Sequence, residues 1–522
     1  MAIHMATYTN NTNLKPKRQL SLRRVMLALL ILIGSTYLGL LGWQKWKDAK
    51  AATVIDPWFA PYVDVVATPR FDFEQLGATP VKNLVLSFIV ADPDNPCIPT
   101  WGGFYTLDEA GVELDLDRRI ARYRQQGGDV AVSFGGLLNN EPALVCQDHE
   151  KLLNAYLSVV DRYEVEMIDF DLEGDGLTNK TALAVRAAVV AELQQKRRDA
   201  GKNLAVWLTL PVAPQGLTQD GTDAVAQTLS RGVDLTGVNI LTMDYGQSRD
   251  RNQTMQQASE AALIETHRQL GILYHQADIY LSETSLWSKL GITPMIGQND
   301  IIDEIFTLED ASGLNTFAVS KKIVRMSMWS ANRDIQCGEN YVHLKVVSDS
   351  CSGVKQEELA YVNALSVGFD GQLGHTANLT TTADSEPVVV QDDPAKSPYQ
   401  IWSATDTYLQ NTKIVWHGNV YQAKWWTHGD LPDNPVLQAW ETPWQLIGPV
   451  LPGDAPIPQP TLPEGTYPNW SGLTVYEAGE RILFKGIPYQ AKWWTQGDSP
   501  AASSSNPDGS PWVILTKQQL DQ

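Results

Sequence analysis

The chain has only four cysteines in 522 residues, and no two of them stand in a Cys-x-x-Cys spacing. Nothing in that spacing indicates a metal site. No Gly-x-Gly-x-x-Gly follows an early strand pattern, so the usual signal for a nucleotide site is missing. Basic residues are outnumbered 40 to 60, and the net charge of −20 argues against nucleic acid as a partner. One uncharged apolar run stands out, residues 25–43, with Arg23 and Arg24 before it and Lys45 and Lys47 after it. Its length just suffices to span a bilayer. The excess of Lys15, Lys17, Arg18, Arg23 and Arg24 over Lys45, Lys47 and Lys50 puts the N-terminus in the cytoplasm. We expect residues 1–24 to be a cytoplasmic tail and 25–43 a transmembrane signal-anchor, so that the membrane is a partner. The competing reading is a signal peptide cleaved at Ala49-Lys50-Ala51, a site far beyond the run. Either reading exports the remainder to the extracellular or periplasmic side, where disulfides are permitted. Of the three possible pairings we expect Cys97–Cys146 and Cys337–Cys351.

The chain is too long for one ordinary domain. Strand-like and helix-like patterns alternate from about residue 55 to 373. Candidate strands cover 62–66, 83–91, 129–134, 165–172, 204–210, 237–243, 292–296 and 324–329. Helical patterns at 118–126, 150–163, 180–200, 254–275 and 307–320 lie between many of them. Such alternation implies a parallel sheet. Eight strands over this length fit a (β/α)8 barrel, an α/β fold whose active sites lie at the C-terminal ends of the strands.

One strand organises this segment: Glu166-Met-Ile-Asp169-Phe-Asp171-Leu-Glu173-Gly174. Side chains alternate along a strand, so Asp169, Asp171 and Glu173 share one face and Ile168, Phe170 and Leu172 the other. Stacked carboxylates repel, and desolvation disfavours each anion. A strand that carries them has the equipment of an acid catalyst. The alternative is an amphipathic edge strand with a solvated acidic face.

The stretch resembles the Asp-x-x-Asp-x-Asp-x-Glu signature of the family 18 glycoside hydrolases, the chitinases, with Glu166 in place of the first Asp. Other strand ends extend the likeness. Ser133-Phe-Gly135-Gly136 resembles the family's Ser-x-Gly-Gly, and Met243-Asp244-Tyr245 its Met-x-Tyr. Met326-Ser-Met-Trp329 resembles the strand whose Trp floors the sugar subsite. The stretches around Cys97–Gly103 and Gly291–Gly297 look like those of bacterial members. The resemblance implies retaining hydrolysis of β-1,4 N-acetylglucosamine linkages with the substrate's own acetamido group as nucleophile. Glu173 is then the general acid, and Asp171 orients the acetamido N–H. Asp169 shares a proton with Asp171, and Tyr245 binds the acetamido oxygen. Trp329 stacks beneath the sugar, with Ser133, Met243 and Asp244 as further substrate contacts. Chitin and N-acetylglucosamine oligosaccharides are the implied partners, and no cofactor or metal is needed. Met295 and Met326 leave room for one helix and its loops, so we expect an open groove without an inserted wall, and endo attack. The same residues would serve an endo-β-N-acetylglucosaminidase acting on glycoproteins. An inactive chitin-binding protein of this type would be expected to lack the acid.

The seventeen tryptophans crowd toward the C-terminus. A linker, 374–397, precedes a repeat. Trp402, Tyr408, Gly418, Tyr421, Trp425, Trp426 and Trp444 recur 68 residues on as Trp470, Tyr476, Gly486, Tyr489, Trp493, Trp494 and Trp512. We expect two small all-β modules, 398–449 and 467–516, joined by a Pro-rich spacer at 450–466. Trp402, Trp444, Trp470 and Trp512 are expected in their cores, and about one of each adjacent Trp pair exposed. The shared Ala-Lys-Trp-Trp-Thr run resembles carbohydrate-binding families 5 and 12. That likeness makes Trp425, Trp426, Trp493 and Trp494 the candidate sugar-stacking platforms.

Overall fold

The computed structural model describes residues 56–516 and 519, apart from 80, 342–345, 374–389, 452, 457–459 and 502–508. The expected tail and signal-anchor, and most of the expected linker, lie outside the described residues. Among the described residues no helix is long and apolar enough to cross a membrane.

Parallel strands Asn83–Ala91, Asp129–Gly135, Met167–Asp171, Ala205–Ala213, Leu235–Thr242, Leu290–Pro294 and Arg325–Met326 pair in that order. The first strand of the barrel is broken into Trp58–Phe59 and Tyr62–Asp64. Its first piece pairs in parallel with Arg325–Met326, and its second with Asn83–Ala91. Ala60 and Tyr62 donate their N–H groups to Met326 and Met328 at 2.9 and 3.0 Å, and the ring closes as a (β/α)8 barrel. The acidic stretch is therefore a central strand, not an edge strand.

Alternation divides the barrel into two apolar layers. Ile168, Phe170 and Leu172 pack outward with the helices in the large core. Trp58, Tyr62, Val85, Met167 and Trp207 fill the inside, with Phe88 and Trp329 packed on them. The helices Leu116–Gln125, His149–Arg162, Lys180–Asp199, Met255–Gln276 and Leu308–Lys321 fall close to the sequence patterns. Gln219–Ser230 was not anticipated; Val225 and Leu229 are its only large apolar residues, set among Gln, Asp, Thr, Gly and Ser. Between the last two strands lie only the short pair Gly297–Gln298 and Ile305–Phe306 and one helix. Both expected disulfides are formed, Cys97–Cys146 and Cys337–Cys351.

Each C-terminal repeat is a three-stranded antiparallel sheet with a two-stranded ribbon. The first has Lys413–Trp416, Asn419–Ala423 and Trp444–Pro449, and the second Arg481–Phe484, Ile487–Ala491 and Trp512–Ile514. Tyr408, Ile414, Tyr421 and Trp444 form one core, and Tyr476, Ile482, Tyr489 and Trp512 the other. Trp402 and Trp470 flank these cores rather than filling them. The first module also touches the barrel. Arg268 donates to the carbonyls of Val436 and Leu437 at 2.6 and 3.1 Å, and Gln438 Nε2 to that of Leu217 at 3.1 Å.

Candidate active site

The strand Met167–Asp171 carries Asp169 and Asp171 into the barrel, both buried, and Glu173 follows at its C-terminal end, half-buried. Four side chains from four other strands donate to Asp169. Tyr62 Oη and Ser133 Oγ bond its Oδ2 at 2.8 and 2.7 Å. Thr209 Oγ1 and Arg325 Nη1 bond its Oδ1 at 2.7 and 2.6 Å. Parallel register explains two of these, since Ser133 and Trp207 flank Asp169 directly and Thr209 lies one inward-facing position beyond. Asn239 and Thr293 extend the polar layer to the next two strands, Asn239 Nδ2 donating to Thr209 at 3.0 Å and Thr293 at 2.7 Å.

Asp171 is different. Its Oδ1 is buried and has no hydrogen-bond partner. Burial, then the charges of Glu173 and Asp169, push its carboxyl well above the usual carboxylate range, against the pull of Arg325. Asp169, by contrast, accepts two hydrogen bonds at each of its carboxylate oxygens. Burial together with the charges of Asp244 and Asp300 raises Glu173 to about 7. A carboxyl with that value keeps its proton near neutrality and can act as an acid.

The strand Leu235–Thr242 ends just before Met243, which is half-buried. Plain alternation would put Met243 and Tyr245 on one face. Asp244 has φ 50°, however, and this left-handed residue turns the chain. Tyr245 joins the outer core, its hydroxyl 3.4 Å from Ser259 on the helix Met255–Gln276. The expected contact with an acetamido oxygen does not fit this placement. Glu304, buried and unmarked by any motif, fixes the turn by accepting the N–H groups of Tyr245 and Gly246 at 2.9 Å each. Asp244 Oδ1 accepts the Ile301 N–H at 3.1 Å, and the charge of Asp244, with that of Asp300, reaches Glu173.

Ser133 also departs from expectation. It is fully buried, and its hydroxyl is spent on Asp169, so it supports the carboxylate row instead of touching substrate. Glu166, the departure from the family motif, is exposed at the start of the strand and takes no part in the Asp169 network. Trp329 is half-buried at the end of the last strand, its ring stacked on Phe88. Tyr62, Thr209 and Arg325 were missed. They are a lone Tyr, Thr and Arg in apolar strands, and only inward alternation at the level of Asp169 could have pointed to them.

In the modules both members of each pair are exposed: Trp425 44%, Trp426 58%, Trp493 47% and Trp494 57%. One exposed Trp per pair would follow if the pairs lay in strands. The pairs instead lie in bends after Asn419–Ala423 and Ile487–Ala491, where alternation does not apply. Lys424 and Lys492 reach over the rings of Trp425 and Trp493 at 4.8 and 4.4 Å. The described residues hold no group of three or more His, Cys, Asp or Glu able to ligate a metal.

Comparison with known proteins gives four likenesses. Residues 469–513 match carbohydrate-binding module family 5/12. The chain is 32% identical over 289 residues to a probable bifunctional chitinase/lysozyme of Escherichia coli strain K12, covering 54% of this chain and 31% of that protein. It is 30% identical over 284 residues to endochitinase 11 of Metarhizium anisopliae, covering 53% of this chain and 52% of that protein. The chain thus spans about half or less of the curated relatives it matches. Among solved structures, the catalytic domain of a hyperthermophilic chitinase from Pyrococcus furiosus superposes with TM-score 0.50 at 26% identity, over 60% of this chain and 95% of that one.

Proposed function

We infer that this relative of the family 18 glycoside hydrolases is an exported chitinase that cleaves β-1,4 N-acetylglucosamine linkages. The observation that carries the reading is the unequal environment of three carboxylates on one strand. Glu173, raised to about 7, protonates the glycosidic oxygen. Asp171, buried with an unpartnered oxygen, takes the acetamido N–H as that group attacks the anomeric carbon. Asp169 stays an acceptor behind it. Trp329 is the platform beneath the sugar, and Met243 and Asp244 line the same end of the barrel. After cleavage Glu173 accepts the proton of the incoming water. The absence of a wall between the last two strands favours endo attack.

The two modules hold the enzyme on insoluble polymer through Trp425, Trp426, Trp493 and Trp494. Residues 25–43, an uncharged apolar run flanked by basic residues, tether the enzyme at the outer face of a membrane. The deciding experiment assays the purified protein on colloidal chitin beside a high-mannose glycoprotein. Chitin oligosaccharides released from the first alone support the reading; release of glycan from the second alone replaces it with the endo-β-N-acetylglucosaminidase.

A further inference from the structure

Arg325 is wholly buried inside the barrel, and so is its partner Asp169. Its guanidinium lies among three rings, centred 5.5 Å from Trp58, 5.6 Å from Tyr62 and 5.2 Å from Trp207. Its donors are assigned one by one: Nη1 to Asp169 Oδ1 at 2.6 Å, Nη2 to Tyr62 Oη at 2.9 Å, Nε to Ser327 Oγ at 3.1 Å. A buried cation needs a paired anion, and a planar fork fixes the direction from which that anion is held. Tyr62 is the relay. Its hydroxyl accepts a hydrogen bond from Arg325 and donates one to Asp169, and burial foremost keeps its phenol far above its ordinary range.

With Arg325, Thr209, Tyr62 and Ser133 all donating, Asp169 is confined to accepting, the role of an ionised carboxylate. Asp171, two residues along, receives none of these bonds. The charged and titratable groups that act on Asp171 are Glu173, Asp169 and Arg325, and Tyr62 stands between the last two. Arg325 does not figure among the groups that act on Glu173, which are Asp244 and Asp300.

We propose that Arg325 is a positioning residue of the reaction: it fixes Asp169 as a charged acceptor behind Asp171, which is left to face the substrate. The proposal rests on the hydrolytic reading above, and its consequence is specific to one limb of the pH profile. The row needs negative charge to balance the cation formed as the glycosidic bond breaks. On acidification that charge is lost to a second proton, and the positive charge of Arg325 opposes that protonation.

The test measures kcat and KM against pH on a soluble chromogenic N-acetylglucosamine oligosaccharide, using the full chain, Arg325→Gln and Arg325→Lys. Wild-type turnover comes first; its failure would remove the hydrolytic reading itself. For Arg325→Gln the acidic limb moves up by about 1–3 pH units, the range for losing an adjacent opposite charge. Its kcat falls at least about tenfold with KM within about twofold, and the basic limb, set by Glu173, stays in place. Arg325→Lys keeps the charge but not the fork, so its acidic limb returns toward wild type while kcat recovers only in part. Coincident acidic limbs in wild type and Arg325→Gln, or equal movement of both limbs, would overturn the proposal. Should Arg325→Gln not fold, neutron diffraction from the wild-type protein decides. A deuteron bound to Asp171 supports the proposal, and one bound to Asp169 refutes it.

Discussion

Trp329 and Phe88 stack with ring centroids 5.5 Å apart and planes 20° from parallel, which ties the last barrel strand to the second. Gly136 guards this pair. A Cβ on Gly136 would lie 2.9 Å from the Phe88 ring, and its φ of +84° disfavours any side chain. Gly136→Ala should therefore tilt Phe88 from beneath Trp329. We expect about 2 kcal/mol of destabilisation from strain and overpacking, read from thermal unfolding. Turnover of soluble oligosaccharide should fall as well. Unchanged kinetics in a destabilised variant would separate Phe88 from the sugar platform.

Glu173→Gln preserves shape and removes the transferable proton. Turnover should drop by at least ~10²–10⁴-fold, the contribution of a positioned acid, while adsorption to chitin persists. Wild-type-like hydrolysis by this variant would take Glu173 out of the role.

The basic limb of the profile has a stated origin. Glu173 must be protonated to act and sits at about 7, raised by burial and by Asp244 and Asp300. Activity should be full below pH 6 on that side and decline through about pH 7. Asp244→Asn deletes a repelling negative charge, so Glu173 ionises more readily and the basic limb should move to lower pH. A limb that stays put or rises would show that Asp244 does not set this value.

In the modules the exposure of both tryptophans makes a sharper expectation than one platform per repeat. Trp425→Ala and Trp426→Ala should each weaken adsorption to insoluble chitin, and Trp493→Ala and Trp494→Ala likewise, by roughly fivefold apiece if each contributes about 1 kcal/mol. Loss of one whole pair should cost more than a halving of affinity, because two linked modules act through effective concentration. Point changes are preferable to truncation. Arg268 and Leu217 hydrogen-bond to the first module, and removing it bares that face of the barrel. Loss in only one member of each pair would restore the single-platform arrangement.

Much of this was legible from periodicity. Alternation at Ile168–Glu173 gave the inner and outer faces of the central strand, and the 68-residue repeat gave two modules with matching cores. What was not legible depended on geometry between distant strands. Arg325 reaches Asp169 across the barrel, a relation with no local sequence signature. Tyr245 was misplaced because one left-handed residue, Asp244, breaks the parity that a strand reading assumes. Ser133 was assigned to substrate although parallel register puts it directly beside Asp169. One exposed Trp per pair holds only where the pair lies in a strand, and the chain bends at both pairs.

The sharpest expectation concerns the nucleophile. Asp171 and Glu173 share one strand and one face, two positions apart. A carboxylate so placed beside the acid is badly located to attack the anomeric carbon from the opposite side, so the substrate must supply the attacking atom. Hydrolysis should then require an N-acetyl group on the cleaved sugar. Fully deacetylated chitosan and cellulose should not be cut. Partly acetylated chitosan should yield new reducing ends that are N-acetylglucosamine, measured by reduction and mass spectrometry of the products. A thiazoline analogue of the cyclic cation should inhibit, because a site that stabilises the transient ion binds its stable mimic more tightly than substrate. Asp171→Asn should lose turnover and weaken binding of that analogue, since the acetamido N–H then loses the carboxyl that orients it. Abundant glucosamine at the new reducing ends would mean that cleavage proceeds without the acetamido group, and the roles given to Asp171 and Asp169 would have to be withdrawn.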